Sequence, residues 1–438
     1  MKFSFLRKWN LVLFEVLTAV SFSLLFLFGI AVQKETRQPF GENIWEPISQ
    51  LTLFEVQSVD TMKYSRDVAR QKLYDPSFDA DIAFYTKSAA ELGATHIALG
   101  TPYEKEFAPF LRRWVEAARK EGLSVWFRGN LAGWEGWFGY KGITPKEHQE
   151  SIYDFILQHP DLFRDGDVFT PCPECENGAL GDPRFSGTVP DFRQFLIDEH
   201  AIAKEAFRTI AREVEVGYHS MNGDVAALVM DKETTAHLGG VAAIDHYVKD
   251  AERFAFDVAS LAEQSGGRVA VSEFGLPIAD IHGNLEEEEQ AEMVERLLQE
   301  LYRQKESIAG VNYWVLAGGS TALLDENGRK REAFEKVAQY YKPVIVRGII
   351  RDPFGNPLEG IPVVVGEHLF EVQTDSEGKY QFAVPRIHVE IEAGGENHGK
   401  ATYAIMPDAP YLVEWNMVLE PVDPSLIYSA RVWWHVMF

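Results

Sequence analysis

Between about residues 50 and 342, short apolar runs rich in β-formers alternate with longer stretches whose apolar residues recur every three or four positions. The short runs are typical of buried strands, and the longer stretches are typical of amphipathic helices. The pattern predicts strands at 51–59, 95–99, 124–128, 167–170, 213–217, 241–245, 268–272 and 310–314. It predicts helices between them, among them 79–93, 106–121, 191–212, 250–264 and 285–305.

Eight such β-α units favour a (β/α)8 TIM barrel, whose usual length is about 250 residues. A doubly wound open sheet is the alternative, but it needs a glycine-rich phosphate-binding turn after its first strand. The loop at 58–67 reads SVDTMKYSRD and contains no glycine. The predicted fold class is therefore α/β, with a barrel over residues 34–342.

The pattern changes at about residue 344, where helical periodicity stops and short β runs with turn signals begin. This change predicts a small all-β sandwich over residues 343–421. The segments RDPFGNPL (351–358) and TDSEGKY (374–380) resemble carboxypeptidase regulatory-like, or prealbumin-like, domains, which are mostly accessories. An apolar tail follows at 422–438. The predicted strands are 344–350, 361–365, 369–374, 379–384, 388–393 and 412–419.

The first 33 residues combine a basic lead with the apolar run 11–32, which is broken by Glu15. The run is long enough to span a bilayer, which needs about 20 apolar residues, and the preceding positive charge would keep the N-terminus in the cytoplasm. We expect an N-terminal hydrophobic anchor. A cleaved signal peptide is the alternative, since residues 29–31 (GIA) resemble a cleavage site. Both interpretations place the body outside the cytoplasm.

Composition excludes several classes of function. The chain has 42 Lys and Arg against 66 Asp and Glu, a formal net charge of −24, which argues against a nucleic-acid partner because duplex binders carry a basic surface. Two cysteines are too few for a cysteine-based zinc module. No histidine pair at helical spacing and no glycine-rich nucleotide loop stands out, so we expect no metal and no cofactor. The oligomeric state is left open.

Active sites of such barrels lie where strands end and βα loops begin. The fourth predicted strand is followed by PCPECENG (171–178), with Glu174 and Glu176, and the seventh by VSEFG (271–275), with Glu273. A retaining glycosidase needs two carboxyl groups about 5–5.5 Å apart, one protonated and one ionised. The two strand ends therefore predict a catalytic pair for glycoside hydrolysis.

The barrel resembles the clan-A glycoside hydrolases, a superfamily of retaining enzymes that includes cellulases, mannanases and β-galactosidases. The resemblance implies that Glu273 is the nucleophile. The acid/base of the clan commonly occurs as Asn-Glu-Pro, whereas Pro173 precedes Glu174 in this chain. Glu174 is the preferred acid/base and Glu176 the reserve.

Two functions follow from this resemblance. The first is a membrane-tethered retaining glycoside hydrolase that cleaves a β-linked poly- or oligosaccharide by double displacement. The alternative, which the missing Asn favours, is a non-catalytic glycan-binding or envelope-assembly protein on a degenerate barrel.

Other strand ends supply candidate substrate-binding residues. By resemblance, a His or Tyr beside the nucleophile and a Trp under the bound sugar are expected after strands six and eight. An Arg at the end of strand three would orient Glu273 or a sugar hydroxyl. The aromatic loop that follows suits stacking on a sugar, although its rings could instead cap the barrel. The candidates are Arg128, Trp134, Trp137, His219, His246, Tyr247, Asn312 and Trp314.

The two cysteines, Cys172 and Cys175, lie on either side of Glu174 in a Cys-x-x-Cys motif. In an exported chain this spacing favours a local disulfide or two free thiols over redox catalysis. A disulfide would stiffen the loop that carries the predicted acid/base.

Overall fold

The computed structural model describes residues 45, 47, 51–366 and 369–422. The predicted anchor (1–33) and all of the predicted apolar tail except Val422 lie outside the described residues. In the described ranges, none of the helices combines the length and the apolar character that crossing a bilayer requires.

Eight parallel strands form one curled sheet in the order β5-β4-β3-β2-β1-β8-β7-β6. A parallel bridge between Asn222, which follows β5, and Asp245, at the end of β6, joins the two outer strands and closes the barrel. The predicted α/β barrel is confirmed. The strands are β1 (Val56–Asp60), β2 (His96–Leu99), β3 (Ser124–Phe127), β4 (Val168–Phe169), β5 (Glu215–Val216), β6 (Val241–Asp245), β7 (Arg268–Phe274) and β8 (Ile308–Tyr313).

Helices surround the barrel and bury their apolar faces against it. In α3, for example, Leu111, Trp114 and Ala118 are buried at the three- and four-residue spacing of one helix face. The helices are α1 (Ser65–Lys72), α2 (Asp79–Leu92), α3 (Ala108–Lys120), α4 (Ala132–Glu135), α5 (Pro145–Gln158), α6 (Pro183–Ser186), α7 (Val189–Thr209), α8 (Gly223–Val229), α9 (Lys232–His237), α10 (Ala251–Ser265), α11 (Ala279–His282), α12 (Glu287–Arg303) and α13 (Glu332–Tyr341).

An apolar cluster within the sheet combines two large rings with small residues. Trp126 and Tyr218 meet edge to face with centroids 5.1 Å apart, and they pack with alanines such as Ala98 and Ala270. Alternation of large and small side chains is how a barrel interior is filled. The interior of the barrel is therefore a packed core.

The C-terminal part is all-β, as predicted. Two four-stranded sheets enclose a separate core that includes Val346, Val363, Phe382 and Ile391. The strand β14 was not predicted, because His398–Ile405 is largely exposed and has no clear apolar face. The strands are β9 (Val344–Arg351), β10 (Pro362–Val365), β11 (Phe370–Gln373), β12 (Lys379–Val384), β13 (Val389–Gly395), β14 (His398–Ile405), β15 (Leu412–Glu414) and β16 (Met417–Val418).

Candidate active site

A cavity of about 200 Å³ lies at the carboxyl ends of the barrel strands. Its polar lining includes Asp60 at the end of β1, Arg128 after β3, Glu174 in the loop after β4, and Glu273 near the end of β7. Trp314, directly after β8, supplies an apolar wall. The preferred pair from the sequence, Glu174 and Glu273, therefore lies in one cavity, at the barrel end where active sites of this fold occur.

A β-bulge in β7 directs Glu273 into this cavity. Ile244 of β6 pairs with Val271, but the next residue, Asp245, pairs with Glu273, so β7 carries one extra residue at Ser272. Because side chains alternate along a strand, an extra residue changes the direction of those that follow it. As a result, both Ser272, which donates to Asp245 Oδ1 at 2.8 Å, and Glu273 contact groups inside the barrel mouth.

The close approach of two strands fixes the backbone just beyond Glu273. A Cβ atom at Gly275 would lie 2.1 Å from the carbonyl oxygen of Trp314. Only glycine fits at such a distance. The glycine of the Glu-Phe-Gly segment thus keeps the ends of β7 and β8 together, and with them Glu273 and Trp314.

Each carboxylate oxygen of Glu273 accepts a hydrogen bond. Arg128 Nη2 donates to Oε1 at 3.0 Å, and the hydroxyl of Tyr247 donates to Oε2 at 2.8 Å. Donors to a carboxylate, one of them charged, stabilise its ionised form. The side chain is 17% exposed, so the carboxyl group is held by two donors at the cavity surface, where a ligand can reach it.

Arg128 is surrounded by three carboxylates. Besides Glu273, its guanidinium contacts Asp60 Oδ2 at 3.2 Å and Asp245 Oδ1 at 3.4 Å. Burial alone would lower the pKa of Arg128, but the three negative charges raise it above the ordinary value. Arg128 therefore remains a fixed cation that positions Glu273, which is the orienting role that the sequence suggested.

Asp60 is a site residue that the sequence analysis missed. It is 6% exposed and lines the cavity. Burial, reinforced by the charge of Glu273 and opposed by Arg128, raises the pKa of Asp60 to about 7. Its position as the last residue of β1 is the signal that would have identified it, since polar side chains at strand ends face the active site in this fold.

Glu174 lies in the cavity with an exposed side chain. Its backbone is in the left-handed region (φ 46°, ψ 47°), and its N–H donates to the carbonyl oxygen of Ser220 at 2.9 Å. Burial of the carboxyl group and the negative charge of Glu273 raise the pKa of Glu174 to about 7. The positive charge of Arg128 opposes this shift. Glu174 therefore retains a proton at pH values at which an ordinary glutamate is ionised.

Glu176, the reserve acid/base, is placed elsewhere. It is 5% exposed and does not line the cavity. Its Oε1 accepts a hydrogen bond from the backbone N–H of Asn222 at 2.8 Å, so it ties the loop after β4 to the loop after β5. Of the two glutamates in this loop, Glu174 is therefore the one that lines the cavity.

Cys172 and Cys175 form a disulfide, and both are buried. The indole N–H of Trp134 donates to the carbonyl oxygen of Cys175 at 3.2 Å, and Asn130 Nδ2 lies 3.7 Å from the sulfur of Cys172. The loop that carries Glu174 is thus held by a covalent bond and by contacts from the loop after β3.

Removal of the disulfide is expected to destabilise the protein. In a Cys172→Ser/Cys175→Ser double variant, the free energy of unfolding should fall by about 2 kcal/mol, because the unfolded chain loses a short-loop constraint. Urea denaturation of both proteins measures the difference. Dithiothreitol should destabilise the wild type and leave the double variant unchanged, whereas equal unfolding free energies without reductant would contradict the expectation.

Three further candidates lie at the site. Trp314 and Trp137 line the cavity, and the ring of Tyr247 meets that of Trp314 edge to face at 6.1 Å. One face of Trp137 is covered by the guanidinium of Arg66, 4.1 Å from the ring centroid. The two indoles are therefore not equivalent, since Trp314 is the one beside the residues that contact Glu273.

The other four candidates are not brought into the cavity. The ring of Trp134 stacks on that of Phe195, with centroids 5.3 Å apart. Nε2 of His246 forms a hydrogen bond with Asp257 Oδ2 at 3.0 Å. His219 is buried against His200 on α7, and burial lowers its pKa to about 3. Asn312 is fully buried and donates to the carbonyl oxygen of Ser272 at 2.9 Å, which supports the bulge. These residues lie around the site, and none lines the cavity.

Within residues 51–366 and 369–422, no group of three or more His, Cys, Asp or Glu side chains is arranged to hold a metal ion. Asp60 and Glu273, two of the acidic side chains that line the cavity, are paired with Arg128.

No protein-family model and no curated protein sequence matches the chain. Solved structures with a similar barrel include a GH5_18 protein from Bifidobacterium longum subsp. longum, determined in complex with Manβ1-4GlcNAc. It is 16% identical over 69% of this chain and 84% of its own, with a TM-score of 0.47. A GH5_18 protein from Streptomyces cattleya is 17% identical over 68% and 84%, with a TM-score of 0.48.

A third similar structure is a glycoside hydrolase family 30 subfamily 8 xylanase from Clostridium acetobutylicum, 12% identical over 76% of this chain and 94% of its own, with a TM-score of 0.42. At these identities the likeness concerns the fold.

Proposed function

We propose that the protein is a retaining glycoside hydrolase that cleaves a β-linked poly- or oligosaccharide. One observation carries the proposal: Glu174, in the loop after β4, and Glu273, near the end of β7, line the same cavity. Glu273 is held by hydrogen bonds from Arg128 and Tyr247, whereas the pKa of Glu174 is raised to about 7. A pair of carboxyl groups whose environments separate their protonation states is the requirement for glycoside hydrolysis.

The roles follow from these states. Glu273 attacks the anomeric carbon and forms a covalent glycosyl ester, while Glu174 gives its proton to the departing glycosidic oxygen. Glu174, now ionised, accepts a proton from the water that hydrolyses the ester. Arg128 and Tyr247 orient the nucleophile throughout, and Trp314 is the apolar surface on which the bound sugar rests.

The pH profile tests this assignment. Because the raised pKa keeps Glu174 protonated, kcat/KM is expected to be high below pH 7 and to fall as the pH rises through about 7. A panel of 4-nitrophenyl β-glycosides and β-linked oligosaccharides would identify a substrate, and kcat/KM would then be measured from pH 4 to 9. A profile that stays flat across pH 7, with chemistry rate-limiting, would contradict the role of Glu174.

We also propose that the protein is anchored outside the cytoplasm by its N-terminal segment. The basic lead and the apolar run 11–32 support this placement. In fractionated cells, the full chain is expected with the membranes and a variant without residues 1–33 in the soluble fraction. Release into the medium of a chain that lacks the N-terminal segment would instead favour a cleaved signal peptide.

A further inference from the structure

The rim of the cavity carries an aromatic ring that the proposed chemistry does not use. Tyr64 lines the same cavity as Glu174 and Glu273, and it is 63% exposed. The ring is open to water at the entrance of the site, and the ammonium of Lys63 lies over it, 4.9 Å from the centroid. Aromatic side chains are common in the linings of ligand pockets.

The backbone beneath this ring is held in place. Tyr64 adopts the left-handed conformation (φ 58°, ψ 36°), which is uncommon for a residue other than glycine. The N–H of Lys63 donates to the carbonyl oxygen of Ala317 at 3.0 Å, and the carbonyl of Tyr64 accepts from Asp67 and Val68 at the start of α1. The backbone that carries the ring is therefore already ordered. Binding of a ligand to the ring would cost little conformational entropy of the protein chain.

Polar groups of both signs lie along the same rim. Arg66 rests on the face of Trp137, and Glu135 lines the same cavity as these two residues. Burial raises the pKa of Glu135, and the positive charge of Arg66 opposes the shift. Guanidinium N–H groups donate to hydroxyl groups and a carboxylate accepts from them. Lys63 lies over the Tyr64 ring, and Asp67 lies 3.5 Å from Arg66. Counted with Arg66 and Glu135, these side chains carry two positive and two negative formal charges, so the rim is suited to a neutral polyol ring.

We propose that Tyr64, Arg66 and Glu135 form a second sugar subsite, which binds a neutral sugar ring of the same glycan next to the ring at Glu273. The flat face of the sugar stacks on Tyr64, while Arg66 and Glu135 bond its hydroxyl groups. This inference rests on the proposed function and adds to it that the substrate has at least two sugar units, with an uncharged unit at the rim.

The test compares two exposed tyrosines. Tyr64→Ala and Tyr74→Ala would each be made in the Glu273→Gln background, in which turnover is expected to be lost and binding retained. Tyr74 is the control because it is 86% exposed and lies outside the cavity. Isothermal titration with cellopentaose, xylopentaose and mannopentaose measures the dissociation constants. For the pentasaccharide that binds, Tyr64→Ala is expected to weaken affinity about five- to tenfold, the effect of losing one stacking contact, and Tyr74→Ala is expected to leave it unchanged.

Two outcomes would overturn the subsite: equal affinity of Tyr64→Ala and its parent for every pentasaccharide, or no binding of any of them by the parent. A hyaluronan tetrasaccharide, whose alternate units carry a carboxylate, tests the charge preference. It is expected to bind more weakly than the neutral oligosaccharide, and tighter binding would contradict a neutral rim.

Failure of this inference is distinguishable from failure of the proposed function. If the wild-type protein hydrolyses no glycoside but Tyr64→Ala still weakens pentasaccharide binding, the subsite stands and the catalytic proposal is wrong. If the wild type hydrolyses an oligosaccharide and Tyr64→Ala does not change affinity, the catalytic proposal stands and the subsite is wrong.

Discussion

Replacement of Glu273 by glutamine is expected to lower kcat by at least about 10⁴-fold on every substrate that the wild-type protein cleaves. Glutamine keeps the size of the side chain and accepts a hydrogen bond from Arg128, but it cannot form the covalent glycosyl ester. Binding of the oligosaccharide should persist, since the walls of the cavity are unchanged. Single-turnover kinetics with purified variants, together with titration of binding, measures the two effects separately.

A matched control is the ion pair at the opposite end of β7, the strand that carries Glu273. Glu55 forms a two-bond ion pair with Arg268, at the start of β7, with distances of 2.6 and 2.8 Å. Glu55→Gln therefore perturbs a carboxylate–arginine pair beside β7 without touching the cavity, and activity should be retained. Equal and undetectable turnover by wild type and Glu273→Gln across a broad glycan panel would refute the enzymatic function and favour a glycan-binding barrel.

The second large effect is expected for Glu174→Gln, and it should depend on the leaving group. Hydrolysis of unactivated oligosaccharides is expected to slow by about 10²–10⁴-fold, because the departing oxygen receives no proton. A 2,4-dinitrophenyl glycoside needs no protonation, so formation of its glycosyl-enzyme should proceed almost normally. Azide, which attacks without a general base, should then restore turnover and give a glycosyl azide with retained configuration.

Glu176→Gln is the control for this experiment. Glu176 is two residues away in the same loop, and glutamine can still accept the hydrogen bond from the N–H of Asn222. The turnover of Glu176→Gln should be close to that of the wild type and should not respond to azide. Azide rescue of Glu176→Gln in place of Glu174→Gln would exchange the two assignments.

The fold was largely predictable because each element has a local signal. Buried parallel strands such as β6 and β8 are continuous apolar runs, and helices such as α12 have strong amphipathic periodicity. The position of Glu273 near the end of a strand was predictable for a related reason, since an apolar run precedes it and Phe-Gly follows it.

The arrangement around the two glutamates could not be predicted in the same way. The bulge at Ser272 depends on the pairing of β7 with β6, which the sequence of β7 alone does not reveal. Asp60, Arg128 and Asp245 end three different strands, so their convergence is visible only when the barrel is closed. Trp134 and His246 have the residue types of ligand contacts, but packing directs them to Phe195 and Asp257 instead.

The central claim is that Glu273 forms a covalent bond to the sugar, and trapping that bond tests it most directly. The protein would be incubated with the 2,4-dinitrophenyl 2-deoxy-2-fluoro-glycoside of the sugar that it hydrolyses. It would then be digested and analysed by mass spectrometry. The account predicts that one fluorosugar is attached to the peptide containing Glu273, with release of one equivalent of dinitrophenolate. Release of dinitrophenolate at each turnover without an adduct, or an adduct on another carboxylate, would contradict it.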